Sequence, residues 1–338
     1  MPDIYNDDLH PHSPYIEIRS RIDNGFSKGW GFHFQPSEEY WVDCHNHLEG
    51  IKTHSDVYKL IDRWFSELDA FRLGKVLVIG SDPELFEILG DMGKQDKRIS
   101  WLVSIPCEKP NVEVLNSAIE NGAIGLKLHN ASIMKGLADY KIWLNDQWSR
   151  IFELAEKKHI PVLWHVTQRV SKSPYHGGGE NSYWSESKEK NIAFNNEDLL
   201  KVTIKVLELF PDLKIIGAHQ LHMGLERLSD LFGRYKNLYI DTSCGFFLRW
   251  ADQLYDEDRE VYRKFFDRYQ DKILFGSDSS LVPGGIDEYL IQSFLCHTRF
   301  INQLRLSYKT LQKVSHGNAE KLFNLELMDP VRRGNVRP

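Results

Sequence analysis

The chain has 338 residues, of which 41% are hydrophobic and 27% charged, with a formal net charge of -6 at pH 7. This size and composition allow one large barrel domain or two ordinary domains with a sizeable core. The charge is modest, and acids and bases are interspersed along the chain. This pattern argues against a nucleic-acid-binding protein or a polybasic membrane surface and favours small-molecule partners.

The sequence carries no sign of secretion or membrane insertion. The N-terminus, MPDIYNDDLHPHSPY, has neither a basic start nor an apolar run, and no later segment has the apolar length of a membrane span. The four cysteines, Cys44, Cys107, Cys244 and Cys296, lie far apart without a CxxC pair. They indicate neither a disulfide framework nor a structural zinc knuckle, so we expect a cytoplasmic protein with reduced thiols.

Eight short apolar runs predict buried β-strands, and amphipathic segments between them predict helices. The runs cover residues 40–46, 75–81, 99–106, 123–129, 161–167, 214–220, 238–244 and 273–279. The helical segments include Ser55–Leu73, Asn111–Asn121, Asp146–His159, Asn196–Phe210 and Glu257–Tyr269. Strands and helices alternate, and no GxGxxG motif follows the first run. The pattern therefore predicts an α/β fold of the (β/α)8 TIM barrel type rather than a doubly wound sheet.

The predicted barrel is a single domain over residues 40–325. Residues 1–39 are expected to wrap the barrel as an N-terminal extension, and residues 326–338 form a C-terminal tail. The connection after the fifth strand is long, about Gln168–Asn195, and contains the glycines of YHGGGE. In a barrel this loop lies on the active-site face, where it would be a lid or a specificity wall; the alternative is a surface loop packed over its aromatic residues.

Polar side chains occur where the hydrophobic runs end. His45 and His47 end the first run, His165 the fifth, His219 the sixth and Asp278 the eighth. The carboxyl ends of barrel strands meet on one face, so we expect these groups to converge. Imidazole and carboxylate groups are the ligand types of a divalent metal, and the sequence therefore predicts a metal site.

The alternation of side chains along a strand supports this cluster. Asp43, His45 and His47 lie two residues apart and are predicted to share one face. In the fourth strand Lys127 is predicted to point inward, with His129 further out on the same face as a pocket wall or in solvent.

The ordered set DxHxH, Lys, His, His and Asp resembles the amidohydrolase superfamily. The late segment HGNAEKLF, residues 316–323, resembles the closing GNAxRLF signature of the amidohydrolase-related subgroup, amidohydrolase family 2. This subgroup contains hydrolases, lactonases, hydratases and nonoxidative decarboxylases, and the resemblance covers about residues 40–325. Asn318 within the segment is also predicted to be the N-cap of the last short helix.

The resemblance implies a role for each polar residue. His45, His47, His165 and Asp278 would be the metal ligands, and Asp278 would also be the catalytic base that accepts a proton from water. His219 would be catalytic through the substrate, by polarising a carbonyl or stabilising an oxyanion.

Two further residues leave alternatives open. Asp43 would accept a hydrogen bond that fixes a histidine tautomer, or would be a structural carboxylate. Lys127 would contact an anionic substrate or neutralise carboxylates beside one ion; if carboxylated, it would bridge two ions. The resemblance to the subgroup favours one divalent metal rather than two. Three neutral imidazoles and a carboxylate suit zinc, so we expect Zn²⁺ before Mn²⁺.

The candidate substrate-binding residues are Arg169, His176, Tyr183, Trp184 and Arg249. Their guanidinium and aromatic groups point to a small cyclic or aromatic acid. We predict a metal-dependent hydrolase that uses activated water to open an amide or lactone. The alternatives are a nonoxidative decarboxylase, or another carbon–carbon lyase or hydrolase of the same superfamily, and a non-catalytic metal-binding barrel. Homo-oligomerisation is compatible with such a barrel, although no segment demonstrates it.

Overall fold

The computed structural model describes residues 39–48, 53–68, 71–168, 192–243, 256–281 and 288–326. The strands are β1 (Trp41–Leu48), β2 (Leu73–Gly80), β3 (Ile99–Ser104), β4 (Gly125–His129), β5 (Val162–His165), β6 (Ile215–Gly217), β7 (Leu238–Asp241), β8 (Ile273–Leu274) and β9 (Ser279–Leu281). The helices are α1 (His54–Leu68), α2 (Phe86–Gln95), α3 (Val112–Glu120), α4 (Ala131–Met134), α5 (Asp146–Lys157), α6 (Asn196–Leu209), α7 (Gly224–Arg234), α8 (Asp256–Arg268), α9 (Glu288–Gln303), α10 (Tyr308–Gln312) and α11 (Asn318–Leu322). Every strand pairs in parallel with its neighbours, in the order β8-β7-β6-β5-β4-β3-β2-β1-β9.

The barrel closes through an eighth strand that is broken in two. β8 pairs with β7, and β9 pairs with β1. Between them residues 275–278 leave the ladder, while the N–H of Cys44 donates to the carbonyl of Phe275 at 3.1 Å. The sequence predicted one continuous strand over 273–279, so this break is a difference. The predicted (β/α)8 barrel itself is confirmed.

Other element boundaries also differ from the prediction. Helix α1 ends at Leu68, and Leu73, which was predicted to be helical, begins β2. β6 ends at Gly217, where the prediction continued to residue 220. Residues 1–38, 169–191 and 327–338 lie outside the described residues, so the proposed extension, loop and tail stay predictions. No helix of the described part of the chain is both long and apolar enough to cross a bilayer.

Apolar side chains fill the end of the barrel where the strands begin. Leu77, Leu102 and Leu163 form part of an inner cluster, which Phe323 completes from the end of α11. A Cβ atom on Gly125 would lie 2.9 Å from Leu102 Cγ and 3.0 Å from Phe323 Cε1. The chain needs glycine there because the ring of Phe323 occupies the space of a side chain. The polar residues at the carboxyl ends of the strands therefore lie at the opposite end of the barrel.

Asparagine N-caps begin several of the outer helices. Asn111 accepts a hydrogen bond from the N–H of Glu113 at 2.9 Å, and Asn145 accepts one from the N–H of Trp148 at 2.8 Å. Asn195 and Asp198 form a reciprocal capping box at the start of α6. Each cap satisfies backbone donors that the first helical turn leaves unpaired, so the chain can pass from loop to helix at these residues.

The predicted N-cap role of Asn318 is wrong. The residue before it, Gly317, has a helical φ of -60°, and no side-chain bond caps α11. The helical path continues from α10 through residues 313–317, so no new helix end needs a cap. Asn318 is buried and donates through Nδ2 to the carbonyls of Gln270 at 2.6 Å and Ile273 at 2.7 Å. It therefore ties α11 to the beginning of β8.

We expect Asn318→Ala to lower the free energy of unfolding by about 2–4 kcal/mol, because the buried carbonyl of Ile273 loses its donor at a cost of ~1–3 kcal/mol and the partly buried carbonyl of Gln270 loses its donor at a smaller cost. Urea denaturation measures this loss. Asn318→Ser is the matched control for the capping interpretation, since serine is an equally good N-cap. If the serine variant were as stable as the parent chain, the hydrogen bonds of Asn318 would not be what stabilises the contact between α11 and β8.

Candidate active site

A cluster of polar side chains lies at the carboxyl ends of the strands. It comprises His45 and His47 of β1, Lys127 and His129 of β4, His165 of β5, His219 after β6, Asp241 of β7 and Asp278 between β8 and β9. The barrel therefore brings together the residues that the sequence placed at five separate strand ends.

Asp278 contacts both histidines of β1. Its Oδ1 lies 3.2 Å from His45 Nε2 and 3.2 Å from His47 Nε2, while its Oδ2 lies 4.0 Å from His219 Nε2. The break between β8 and β9 makes this possible, since Asp278 adopts a left-handed φ of 55° there. One carboxylate oxygen thus faces the β1 imidazoles and the other faces His219.

Asp241 fixes the tautomer of His45. Its Oδ2 lies 2.8 Å from His45 Nδ1, and both side chains are fully buried. A carboxylate only accepts, so the neutral imidazole carries its proton on Nδ1 and presents a lone pair on Nε2. The sequence reading missed Asp241, although an aspartate at the end of the seventh apolar run is the same signal that identified Asp278.

Asp43 does not have the predicted contact with an imidazole among the described residues. Its carboxylate accepts from the N–H of Ser277 at 2.9 Å, from Ser277 Oγ at 2.5 Å and from the N–H of His45 at 3.3 Å. The reason is a bulge: between Asp43 and Asn46 β1 advances three residues while β2 advances two, from Val76 to Val78. The simple alternation that put Asp43 beside His45 is interrupted, and Asp43 instead secures the residue before Asp278.

Hydrogen bonds also assign the protons of His219 and His165. His219 Nδ1 lies 3.2 Å from the carbonyl oxygen of Ser243, which can only accept, so Nδ1 carries the proton of the neutral ring. His219 Nε2 then accepts from His165 Nδ1 at 3.2 Å. His165 Nε2 keeps its lone pair, and this buried atom has no hydrogen-bond partner among the described residues. His165 therefore presents a free ligand atom.

The turn after β6 has an unusual backbone. His219, Gln220, Leu221 and His222 have φ values of 58°, 53°, 55° and 49°, a left-handed conformation that costs energy for residues other than glycine. Gln220 Nε2 stabilises the turn by donating to the carbonyl of Asp241 at 2.6 Å. It also donates to the carbonyl of Ser243, at 3.1 Å. The turn stacks the ring of His222 on that of His219, with 5.2 Å between centroids. Nothing in the sixth apolar run indicates a tight turn, so the sequence alone does not point to His222.

Burial keeps the imidazoles neutral. Desolvation, with the nearby Lys127 ammonium, lowers the pKa of His45 to about 4. The same cause lowers the pKa of His129 to about 3, that of His165 well below its usual value, and that of His219. Neutral imidazoles at pH 7 are the form that binds metal.

Burial and neighbouring groups also shift the pKa values of the amine and the carboxyl groups in the site. Burial lowers the pKa of Lys127 to about 8 and raises that of Asp43 to about 7. For Asp278, burial acts to raise the pKa, but the neighbouring His45, His219 and His47 outweigh it and hold the pKa well below its usual value. Asp278 is therefore a carboxylate at neutral pH.

The cluster fits a divalent cation. His45, His219 and Asp278 each offer a ligand atom, and these atoms lie within 4.8 Å of one another. The lone pair of His45 Nε2 faces Asp278 Oδ1, and two acceptors at this distance need a cation beside them. Lys127 Nζ, 2.7 Å from His45 Nε2, supplies a positive charge in the structure. Nitrogen and oxygen ligands of this kind suit Zn²⁺, as well as Mn²⁺.

The predicted ligand set and this compact group overlap without being identical. His47 reaches the same oxygen of Asp278 as His45, whereas His165 joins the group through His219. The division of roles between His165 and His219 stays a prediction, as does the choice between one ion and two. The five candidate substrate-binding residues, Arg169, His176, Tyr183, Trp184 and Arg249, lie outside the described residues.

Residues 85–325 match the family model described as Amidohydrolase. The chain belongs to the amidohydrolase family. No curated protein matches the sequence. This membership confirms the resemblance that the strand-end residues and the HGNAEKLF segment carry.

Solved structures with the same fold include both hydrolases and decarboxylases. A putative 2-pyrone-4,6-dicarboxylic acid hydrolase from Pseudomonas putida has a TM-score of 0.53 and 16% identity, over 88% of this chain and 100% of that chain. The dihydroorotase of Campylobacter jejuni has a TM-score of 0.55 and 18% identity, over 86% and 85%. A 2,6-dihydroxybenzoate decarboxylase complexed with 2,6-dihydroxybenzoate has a TM-score of 0.54 and 14% identity, over 85% and 100%. At these identities the similarity concerns the fold.

Family membership and the histidine–aspartate cluster together indicate a metal-dependent enzyme of the amidohydrolase superfamily that acts on a small molecule. The similar folds do not select between hydrolysis and decarboxylation.

We expect Asp241→Asn to weaken Zn²⁺ binding by ~10–100-fold, because His45 loses the charged acceptor that orients it. Competition with a chromogenic chelator measures the affinity. Asp267→Asn is the control, since that carboxylate accepts from Thr310 Oγ1 at 2.8 Å on the outer helix α8. Equal affinities for the Asp241→Asn and Asp267→Asn variants would show that Asp241 does not act on the metal ligand.

Proposed function

We propose that the protein is a metal-dependent hydrolase that opens an amide or lactone in a small, carboxylate-bearing cyclic or aromatic substrate. The observation that carries this proposal is the position of Asp278. Its Oδ1 faces the β1 imidazoles and its Oδ2 faces His219, so one carboxylate joins the candidate metal ligands to the substrate side of the site.

The metal would be a single divalent ion held by His45, His47, His165 and Asp278, with Zn²⁺ expected before Mn²⁺. When bound, such an ion supplies Lewis acidity that lowers the pKa of water and polarises a carbonyl. The Nε2 lone pair of His45, which faces Asp278 Oδ1, and the Nε2 lone pair of His165, which has no hydrogen-bond partner among the described residues, support this assignment. A pair of ions bridged by carboxylated Lys127 is the alternative arrangement.

Asp278 would act as the general base. Its pKa lies well below the usual value, so the group is ionised at neutral pH. The carboxylate would accept a proton when a water oxygen attacks the carbonyl carbon. The bond from that carbon to the amide nitrogen or lactone oxygen then breaks. The proton returns to the leaving nitrogen or oxygen, so the reaction consumes one water and forms one carboxylic acid.

His219 would hold the substrate on the other side. Its proton lies on Nδ1, so Nε2 of the neutral ring is an acceptor, and the predicted oxyanion contact requires the protonated ring. Asp278 Oδ2 lies 4.0 Å from Nε2, beyond hydrogen-bond distance, so the two side chains would have to approach before this ring could share the transferred proton. His219 would thus become a donor to the developing oxyanion only after the water has lost its proton.

Decarboxylation is the second candidate, favoured by the environment of Lys127. Loss of CO₂ from a carboxylate leaves a carbanion that needs a proton, and Lys127 is a buried amine whose pKa burial lowers to about 8. This candidate also agrees with the similarity to 2,6-dihydroxybenzoate decarboxylase, a protein of the same fold.

A substrate panel in ¹⁸O-labelled water separates the two reactions. We expect lactones or N-acyl compounds to give an acid that carries one ¹⁸O atom. We expect Asp278→Asn to lower kcat by ~10²–10⁴-fold when metal content is matched. Release of CO₂ from an aromatic acid, without ¹⁸O in the product, would replace the hydrolase with the decarboxylase.

A further inference from the structure

Asn130 links the ends of β4 and β5 in the part of the site that holds His165. Its side chain is 1% exposed. Nδ2 donates to the carbonyl of Val166 at 2.7 Å, and Oδ1 accepts from Trp143 Nε1 at 2.9 Å and Trp164 Nε1 at 3.3 Å. Both lone pairs of the amide oxygen are therefore used. In addition, the backbone N–H of Asn130 donates to the carbonyl of His165 at 3.2 Å.

These bonds hold three successive residues of the fifth strand and its exit. Trp164 is held by its indole, His165 by its carbonyl and Val166 by its carbonyl, all through Asn130. The regular pairing of β4 with β5 ends one residue earlier, where His129 lies opposite His165. Beyond that residue, where the chain leaves β4 and enters α4, the hydrogen bonds between the two strand ends come from Asn130.

The hydrogen bonds of Asn130 surround His165, the residue that has a free ligand atom. His165 Nε2 is buried without a hydrogen-bond partner among the described residues, and Nδ1 reaches His219. The direction of the ring follows from the backbone of residue 165, which Asn130 holds on both sides. A ligand displaced by a few tenths of an ångström loses coordination geometry, and groups that orient ligands change metal affinity by ~10–100-fold.

We propose that Asn130 is a positioning residue of the active site: it fixes the backbone around His165 and so aims the His165 imidazole at the metal. The inference rests on the proposed function, in which His165 is a ligand. A purely structural asparagine would stabilise the barrel without affecting metal binding.

Asn237 provides a matched comparison within the chain. It is also buried, and its Nδ2 donates to the carbonyls of Leu207, Phe210 and Leu213 at 3.1–3.2 Å. It lies directly before β7, at the end of the barrel opposite the site. Removing its side chain costs buried hydrogen bonds as at Asn130, but far from His165.

The experiment compares Asn130→Ala and Asn237→Ala by thermal unfolding of the metal-free proteins and by Zn²⁺ affinity in chelator competition. Both variants are expected to melt at a lower temperature than the parent chain. Only Asn130→Ala is expected to bind Zn²⁺ about 10-fold or more weakly. Where Asn130→Ala does not fold, Asn130→Ser replaces it, because the serine side chain leaves a smaller cavity than alanine but is too short to bond both the Val166 carbonyl and the two indoles.

Equal Zn²⁺ affinities for the Asn130 variant and Asn237→Ala would overturn the positioning role. A parent chain that binds no Zn²⁺ or Mn²⁺ would overturn the proposed metal site and this inference together. Weakened Zn²⁺ binding in the Asn130 variant, in a parent chain that releases CO₂ rather than hydrolysing a substrate, would leave the inference standing while the hydrolase proposal fails.

Discussion

The site depends first on one buried carboxylate, that of Asp241. It is fully buried and accepts hydrogen bonds from His45 Nδ1, from the backbone N–H of His219, and from both the N–H and the hydroxyl of Ser243. A buried charge is tolerated only when its acceptor positions are filled, and here donors from β1, the turn after β6 and the segment after β7 fill them. The cost of burying Asp241 is thus offset by the contacts that set the tautomer of His45 and the place of His219. The ligand geometry is prepared before any cation arrives.

The charges around this carboxylate favour an anionic substrate. Asp241 and Asp278 are carboxylates at neutral pH, Lys127 is cationic, and His45, His129, His165 and His219 are neutral, so the charges of these seven residues sum to one negative charge. A divalent cation would change this to one positive charge. A substrate carboxylate would then restore neutrality in a site where uncompensated charge is expensive. The carboxylate-bearing substrate proposed from loop arginines therefore has a second argument that does not depend on them.

Much of the barrel was readable from the sequence because its strands are buried on both faces and separated by amphipathic helices. The strand-end residues His45, His165 and Asp278 were found because polar groups interrupt apolar runs. The break after Leu274 was not predicted, because Phe275 and Gly276 continue the apolar pattern. The hydrogen-bond ladder of the eighth strand nevertheless switches there from β7 to β1. One of the two roles predicted for Asp43, fixing a histidine tautomer, belongs to Asp241, since a bulge is invisible to an argument from alternation. The contacts of Asp43 with Ser277 agree with its other predicted role, a structural carboxylate.

The site consists of two halves that different polar residues hold. Asp241 organises the side formed by β1 and the turn after β6, whereas Asn130 organises the ends of β4 and β5. The contacts between the halves include Lys127 with His45 and His165 with His219. Both contacts involve nitrogen atoms that a metal would use or adjoin, so an ion held by His45 and His165 would add coordinate bonds between the halves. The cation would be the component that completes the constellation.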